Sequence, residues 1–208
     1  MQVRLTAPCT SEQYVTGQLW HFARLTRCPW HRQGGCGFSR HGSYPRVKPV
    51  GTRIARWYCP QARRTVSAIP DFLCSHRSGT LTELEALVLD VEQAPSRMRA
   101  CDVWRLDIDL PGAMRFIQRQ VDDIHQALHL ARGLLPQRFA KACTLGDFAL
   151  NINAPSILIA LRSILCKYLQ QLPCPLGFNP QRRSVRTPVM SIQQRMGHDP
   201  PVAFVDGL

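Results

Sequence analysis

Three cysteines and a histidine in a short basic stretch constrain the fold more than any other feature of this chain. Cys28 and His31 are separated by two residues, so one tight turn can bring both side chains to a single tetrahedral ion. Cys36 follows in a glycine-rich turn, and Cys59 ends a candidate strand. Four ligands with no open coordination position are typical of a structural zinc site rather than a catalytic one. The sequence therefore predicts Zn²⁺ held by Cys28, His31, Cys36 and Cys59.

The fourth ligand is open to alternatives, because a full zinc ribbon has two Cys-x2-Cys pairs. His31 stands in the second position of the first pair, and Ala62 stands where the last cysteine would be. The other candidates for the fourth position are His41, Cys74 and His76. The simpler interpretation is that the cysteines are buried as small apolar side chains, which is common for free cysteine.

Residues 20–70 have a thin apolar set for a segment that would fold as short strands and turns. Alternation in Gly51–Cys59 favours a half-buried strand, with Ile54, Arg56 and Tyr58 on one face. A segment of about fifty residues with so small a core usually needs a staple. Zinc would supply that stabilisation. The apolar side chains of this segment are Phe38, Tyr44, Val47, Ile54, Trp57, Tyr58, Val66 and Ile69.

Charge is strongly segregated along the 208 residues. The chain has 26 Lys and Arg against 14 Asp and Glu, a formal net charge of +12, and residues 13–70 contain no acid. Such a basic segment favours a nucleic-acid partner, since arginine binds phosphate and guanine edges in bidentate fashion. We predict double-stranded DNA as the partner. The contact candidates are Arg40, Arg46, Arg53, Arg56, Arg63 and Arg64.

A family resemblance points the same way. The stretch CPWHRQGGCGFSRHGSYPRV, followed by GTRIARWYCPQARRTVSAIPDFL, is similar to the N-terminal zinc-binding region of bacterial insertion-element (transposase-related) proteins. The similarity covers roughly residues 25–90 and departs from the family pattern at Ala62. It implies DNA binding at element ends, or regulation of such an element. The matching positions are Arg40, His41, Gly42, Tyr44, Arg46, Arg56, Tyr58, Cys59, Arg64, Thr65 and Ser67.

The rest of the chain is predicted to be mainly helical, which gives an α+β fold: a small zinc-ribbon-like β module followed by a mainly α-helical domain. Thr80 or Thr82 can cap a helix that ends near Gln93, with Glu83 or Glu85 completing a capping box. Further helices are expected at 111–133, 136–145 and 154–171. The predicted divisions are an N-terminal arm (1–19), the basic zinc-ribbon-like module (20–78), the helical domain (79–172) and a loosely ordered tail (173–208).

The residues outside the basic segment give little support for catalysis, and the chain is expected not to be an enzyme. Asp107, Asp109, Asp122 and Asp123 could be imagined as a magnesium site, but acids beside helices more often balance neighbouring arginines. His125 and His129 share a helical face and could bind a metal, although surface positions explain them more simply. Cys101, Cys143, Cys166 and Cys174 are interpreted as buried or incidental thiols.

Partners and location follow from the same observations. No stretch approaches the ~18 apolar residues that span a bilayer, and the first residues contain no apolar core of a secretory signal. We therefore expect a cytoplasmic chain with no membrane partner. The acidic segment 81–109 offers a surface for a protein partner. The leading hypothesis is a non-catalytic DNA-binding protein of mobile-element type; the alternatives are a transposase remnant or fragment, and a zinc-stabilised protein-interaction module.

Overall fold

The computed structural model describes residues 1–104 and 110–180. Within them the chain forms one four-stranded mixed sheet, a short 3-10 helix and seven α-helices, which confirms the α+β prediction. The strands are β1 (Gln2–Leu5), β2 (Ser39–Pro45), β3 (Arg53–Cys59) and β4 (Arg64–Pro70). The helices are α1 (Ser11–Thr16), the 3-10 helix (Leu19–His21), α2 (Leu81–Gln93), α3 (Arg97–Trp104), α4 (Leu110–Leu134), α5 (Pro136–Phe139), α6 (Leu145–Asn151) and α7 (Ile157–Ile164).

The sheet has the strand order β1-β4-β3-β2. β2, β3 and β4 form an antiparallel meander, and β1 pairs with β4 in parallel. The predicted strand in Gly51–Cys59 is confirmed as β3, but it is covered on both faces rather than one. Ile54 on one face and Ala55 on the other are both fully buried. Both faces of β3 are therefore covered at these positions, and the 3-10 helix is among the elements that contact this strand.

The first nineteen residues are part of the fold rather than a separate arm. β1 lies along β4, with Val3 opposite Ala68. Tyr14 of α1 is fully buried, and its hydroxyl donates a 3.2 Å hydrogen bond to the Arg53 carbonyl of β3. The Tyr14 ring also meets the Phe72 ring edge-on, with the centroids 5.4 Å apart. These contacts join the N-terminus to the sheet and to the loop after β4.

The helix predictions succeed where the local signals are strong. α2 has the predicted end at Gln93, and α4 extends the predicted helix by a single residue at each end. The helix expected at 154–171 is shorter, because Ser156 caps α7 and the helix ends at Ile164. The helix expected at 136–145 is replaced by the short α5 and by α6, since Thr144 and Asp147 form a capping box that starts a new helix.

The prediction of a loosely ordered tail is wrong for residues 173–180; the remaining tail residues, 181–208, lie outside the described part of the chain. Leu176 and Phe178 are buried in the main hydrophobic cluster. The segment is fixed by Arg162 of α7, whose guanidinium donates to the carbonyls of Pro175 and Leu176 at 2.8 and 2.9 Å. Buried carbonyl groups need a hydrogen-bond donor, and here the Arg162 side chain supplies it in place of a backbone N–H.

A single main core connects the sheet with the helices. The main cluster contains Ile54, Trp57 and Ile69 from the strands. It also contains side chains of the helices and of the segment after α7, which includes Phe178. The thin apolar set of residues 20–70 is thus completed by apolar surface contributed from outside that segment. None of the helices in the described residues is long and apolar enough to cross a membrane.

Candidate metal centre

The four predicted metal ligands lie together at one end of the sheet. The thiol sulfurs of Cys28, Cys36 and Cys59 and a ring nitrogen of His31 all lie within 4.8 Å of one another. His31 Nδ1 is 3.6 Å from Cys28 Sγ and 3.4 Å from Cys59 Sγ. In tetrahedral zinc sites the usual bond lengths put sulfur and nitrogen ligands about 3.6 Å apart. The cluster therefore could hold a metal ion, and its donors suit zinc.

Two loops bring these side chains together. The first, residues 27–37, turns after His31, where the Gly34 N–H donates to the His31 carbonyl at 3.1 Å. Gly37 has a φ of +67°, and a Cβ there would meet the Pro60 ring at 3.0 Å. A side chain at position 37 would thus force the first loop away from the second, the β3–β4 turn. In that turn Arg63 adopts a left-handed φ of 50°.

The surroundings of the sulfurs are apolar and partly supplied by backbone groups. Cys28, Cys36 and Cys59 form a small cluster of their own, against which Trp30, Phe38 and Ala62 pack. The Ala62 N–H donates to Cys59 Sγ at 3.4 Å. Ala62 lacks the thiol that a zinc ribbon has at this position, but its backbone N–H contacts the sulfur of Cys59. Sequence spacing locates position 62 in this turn but does not reveal that role.

The thiols differ in their ease of ionisation. Burial acts to raise the pKa of Cys28, but hydrogen bonds from the Trp30 and His31 backbones and the His31 side chain outweigh it and lower the pKa to about 6. Burial raises the pKa of Cys36. Of these two thiols, Cys28 is therefore the first to become a thiolate, the form that binds metal. A cation would have to displace the proton of Cys36, so metal binding at neutral pH releases protons.

The other candidates for the fourth ligand are engaged elsewhere. Cys74 Sγ donates to the Thr80 carbonyl at 3.3 Å, and burial raises the pKa of this thiol to about 11. His76 Nε2 lies 3.2 Å from the Phe178 carbonyl oxygen. The His41 ring lies beside the Tyr58 ring, with the centroids 5.6 Å apart. Among these alternatives, only His31 joins the three thiols.

The weaker metal candidates do not form clusters in the described residues. His125 Nε2 lies 2.8 Å from Glu92 Oε1, whereas His129 Nδ1 contacts the guanidinium of Arg132. Asp122 accepts a hydrogen bond from Gln118, and Asp123 pairs with Arg77. Asp107 and Asp109 lie outside the described residues. No group of three or more ligands other than the Cys/His cluster is found in residues 1–104 and 110–180.

Four of the six predicted DNA-contacting arginines have structural partners. Arg40 donates to the carbonyls of Trp20, His21 and Ala23, and its guanidinium lies over the Trp57 ring. Arg46 donates to the Cys74 carbonyl at 2.7 Å.

The two arginines of β3 are bound to the neighbouring strand. Arg53 Nε donates to the Ser43 hydroxyl at 3.0 Å, and Arg53 also reaches the Ser43 carbonyl. Arg56 Cζ lies 5.1 Å from the centroid of the Tyr44 ring. Arg63 and Arg64, the other two candidates, are exposed.

The acidic segment is also used within the fold. Glu85 is buried in α2 and caps α7, accepting hydrogen bonds from the Ser156 hydroxyl and the N–H groups of Ile157 and Leu158. Glu92 accepts from the N–H groups that begin α6. These carboxylates therefore satisfy helix N-termini, as the helix dipole favours, and are not free to face a partner.

Comparison with known proteins adds no assignment. No protein-family model, no curated protein and no solved structure matches the chain.

Proposed function

We propose that this chain is a DNA-binding protein of mobile-element type that binds duplex DNA through a basic, zinc-stabilised module and has no catalytic site of its own. The observation that carries the proposal is the Cys28, His31, Cys36 and Cys59 cluster set within residues 13–70, which contain ten cations and no acid. The metal organises loops that are rich in arginine. Arginine on a rigid surface favours phosphate.

Metal content is the first test. Purified protein is expected to contain one zinc per chain, and Cys28→Ser and Cys59→Ser are expected to lose it, because each removes a thiolate from a closed set. Cys166→Ser is the matched control: Cys166 is exposed and lies outside the cluster, so this variant should keep the metal. Mass spectrometry under native conditions and elemental analysis give the stoichiometry. Well-folded wild-type protein without metal would remove the basis of the proposal.

DNA binding is tested by its salt dependence. If about six cations contact phosphates, the affinity for a duplex should fall by about 10³-fold between 50 and 200 mM salt. Fluorescence anisotropy on a labelled duplex measures it. Binding that does not change with salt would contradict a phosphate-based interface. With Mg²⁺ present we expect neither cleavage nor strand transfer, and either activity would favour the transposase alternative.

A further inference from the structure

Eight arginines of the basic module form two groups. Arg40, Arg46, Arg53 and Arg56 are held by carbonyls, a hydroxyl or aromatic rings of the chain itself. A guanidinium that binds a phosphate must give up or share such contacts. The second group is exposed and lies in or directly beside the two loops that carry the metal ligands. Its members are Arg27, Arg32, Arg63 and Arg64.

The guanidinium groups of the second group are not bound to other residues in the described structure. Within residues 1–104 and 110–180, none of these four guanidinium groups has a hydrogen bond, an ion pair or a ring contact with another residue. Exposed cations without partners keep all their donors for a ligand.

The positions of the four arginines follow the metal cluster closely. Arg27 directly precedes Cys28, and Arg32 directly follows His31. Arg63 ends the turn after Cys59, and Arg64 begins β4 opposite Cys59. Cys59 Sγ lies 3.4 Å from His31 Nδ1. The cluster thus joins the backbone of both loops within a few residues of each cation. We call this set of four arginines the metal rim.

We propose that the metal rim is the surface that contacts the phosphates of duplex DNA, in place of Arg40, Arg46, Arg53 and Arg56. The inference rests on the proposed function and adds Arg27 and Arg32 to it. Charge complementarity favours DNA as the partner. The four cations lie in a segment without a carboxylate, and DNA carries a regular row of phosphates. Fixing the two loops through one ion lowers the entropy cost of placing the four cations together.

The test compares two variants of equal charge. The rim variant carries Arg27→Gln, Arg32→Gln, Arg63→Gln and Arg64→Gln. The control variant carries Arg97→Gln, Arg99→Gln, Arg115→Gln and Arg119→Gln, four exposed arginines of α3 and α4. The probe is a labelled 30-base-pair duplex of mixed sequence, measured between 50 and 200 mM KCl. Zinc content is measured for each variant.

The rim variant should lose at least about 100-fold in affinity at 100 mM salt. A plot of log affinity against log salt concentration should have a slope that is smaller in magnitude by about 3.6, because each of the four lost phosphate contacts contributes about 0.9. The control variant should change little. If the four-fold rim variant loses zinc, the pairs Arg27→Gln with Arg32→Gln and Arg63→Gln with Arg64→Gln are measured instead. Each pair should lower the slope by about 1.8.

Three results overturn the inference. Equal losses in the rim and control variants would show that binding follows net charge alone. Full affinity in a zinc-loaded rim variant, with a loss in Arg53→Gln/Arg56→Gln, would return the interface to the sheet. Equal affinity of wild-type protein for polyglutamate and for the duplex would indicate an acidic protein partner. If wild-type protein does not bind the duplex at all, the proposed function itself fails.

Discussion

At the scale of single residues, Arg162 is a buried charge that joins two segments of the fold. Its side chain is completely buried, and its guanidinium donates to carbonyls of two separate segments. Asp71 and Leu73, after β4, accept at 2.9 and 2.7 Å. Pro175 and Leu176, after α7, accept at 2.8 and 2.9 Å. Burial lowers the pKa of Arg162 to about 10, so the group stays charged at neutral pH.

Replacing this arginine should be costly. Arg162→Met keeps an apolar stem but removes the guanidinium donor of the Asp71, Leu73 and Leu176 carbonyls, whereas the Pro175 carbonyl keeps the Ser75 N–H. Each unsatisfied buried group costs about 1–3 kcal/mol. We expect the free energy of unfolding to fall by at least about 3 kcal/mol in urea denaturation. Arg162→Lys should rescue only part of the loss, because an ammonium cannot form the same planar fork of bonds.

The control for Arg162 is Arg115→Met, at an exposed position on α4. Exposed substitutions away from special features usually change stability by at most about 0.5 kcal/mol. If the free energy of unfolding of Arg162→Met falls by less than about 1 kcal/mol, Arg162 does not hold the two segments together as described.

At the scale of elements, helix starts are fixed by side chains that accept backbone N–H groups. α1, α2 and α6 each begin with a capping box, at Thr10, Thr80 and Thr144. For α2 the sequence left two candidate caps and two candidate partners. The structure pairs Thr80 with Glu83 and uses Glu85 to cap α7 instead. One acid of α2 therefore stabilises its own helix and another stabilises a remote one.

Thr80, the N-cap of α2, and Thr82, inside the helix, form a matched pair for testing this assignment. Thr80→Ala should lower the free energy of unfolding by about 1 kcal/mol, because the Glu83 N–H loses its acceptor, Thr80 Oγ1, at 3.1 Å. Thr82→Ala removes the same atoms at an exposed position inside the helix and should be neutral or slightly stabilising. Thermal and urea unfolding measure both. The opposite order of effects would place the cap at Thr82.

At the scale of the whole molecule, the metal cluster and the main core are two clusters of buried side chains, with Phe38 packed against both. Cys28, Cys36 and Cys59 form their own small cluster, whereas the sheet residues Ile54 and Trp57 belong to the main core. The sequence had predicted that the β segment needs zinc because its apolar set is thin. In the structure the apolar side chains of that segment also pack into the main core.

Removing the metal should therefore loosen the ligand loops without unfolding the molecule. After chelation we expect faster amide hydrogen exchange in residues 27–37 and 60–63, since local opening follows the loss of local contacts. Exchange in α4 and in the centre of β3 should be nearly unchanged, and the far-UV circular dichroism should keep most of its amplitude. Global exchange in α4 on chelation would show that the metal holds the whole fold.

What the sequence determines here is local. The capping residues near Thr80, the end of α2 and the spacing of Cys28 and His31 depend on neighbours within a few residues, and each is found as predicted. The α+β class also follows, because the two hydrophobic periodicities occupy different parts of the chain.

What only the tertiary structure decides is the use of polar groups by distant partners. The burial of Arg162, the cap formed by Glu85, the pairing of β1 and the engagement of Arg40 and Arg46 all depend on backbone groups that lie far away in sequence. A side chain's charge is visible in the sequence, but the carbonyl or N–H that meets it is determined by the packing of the core. That packing determines which cations are bound within the fold.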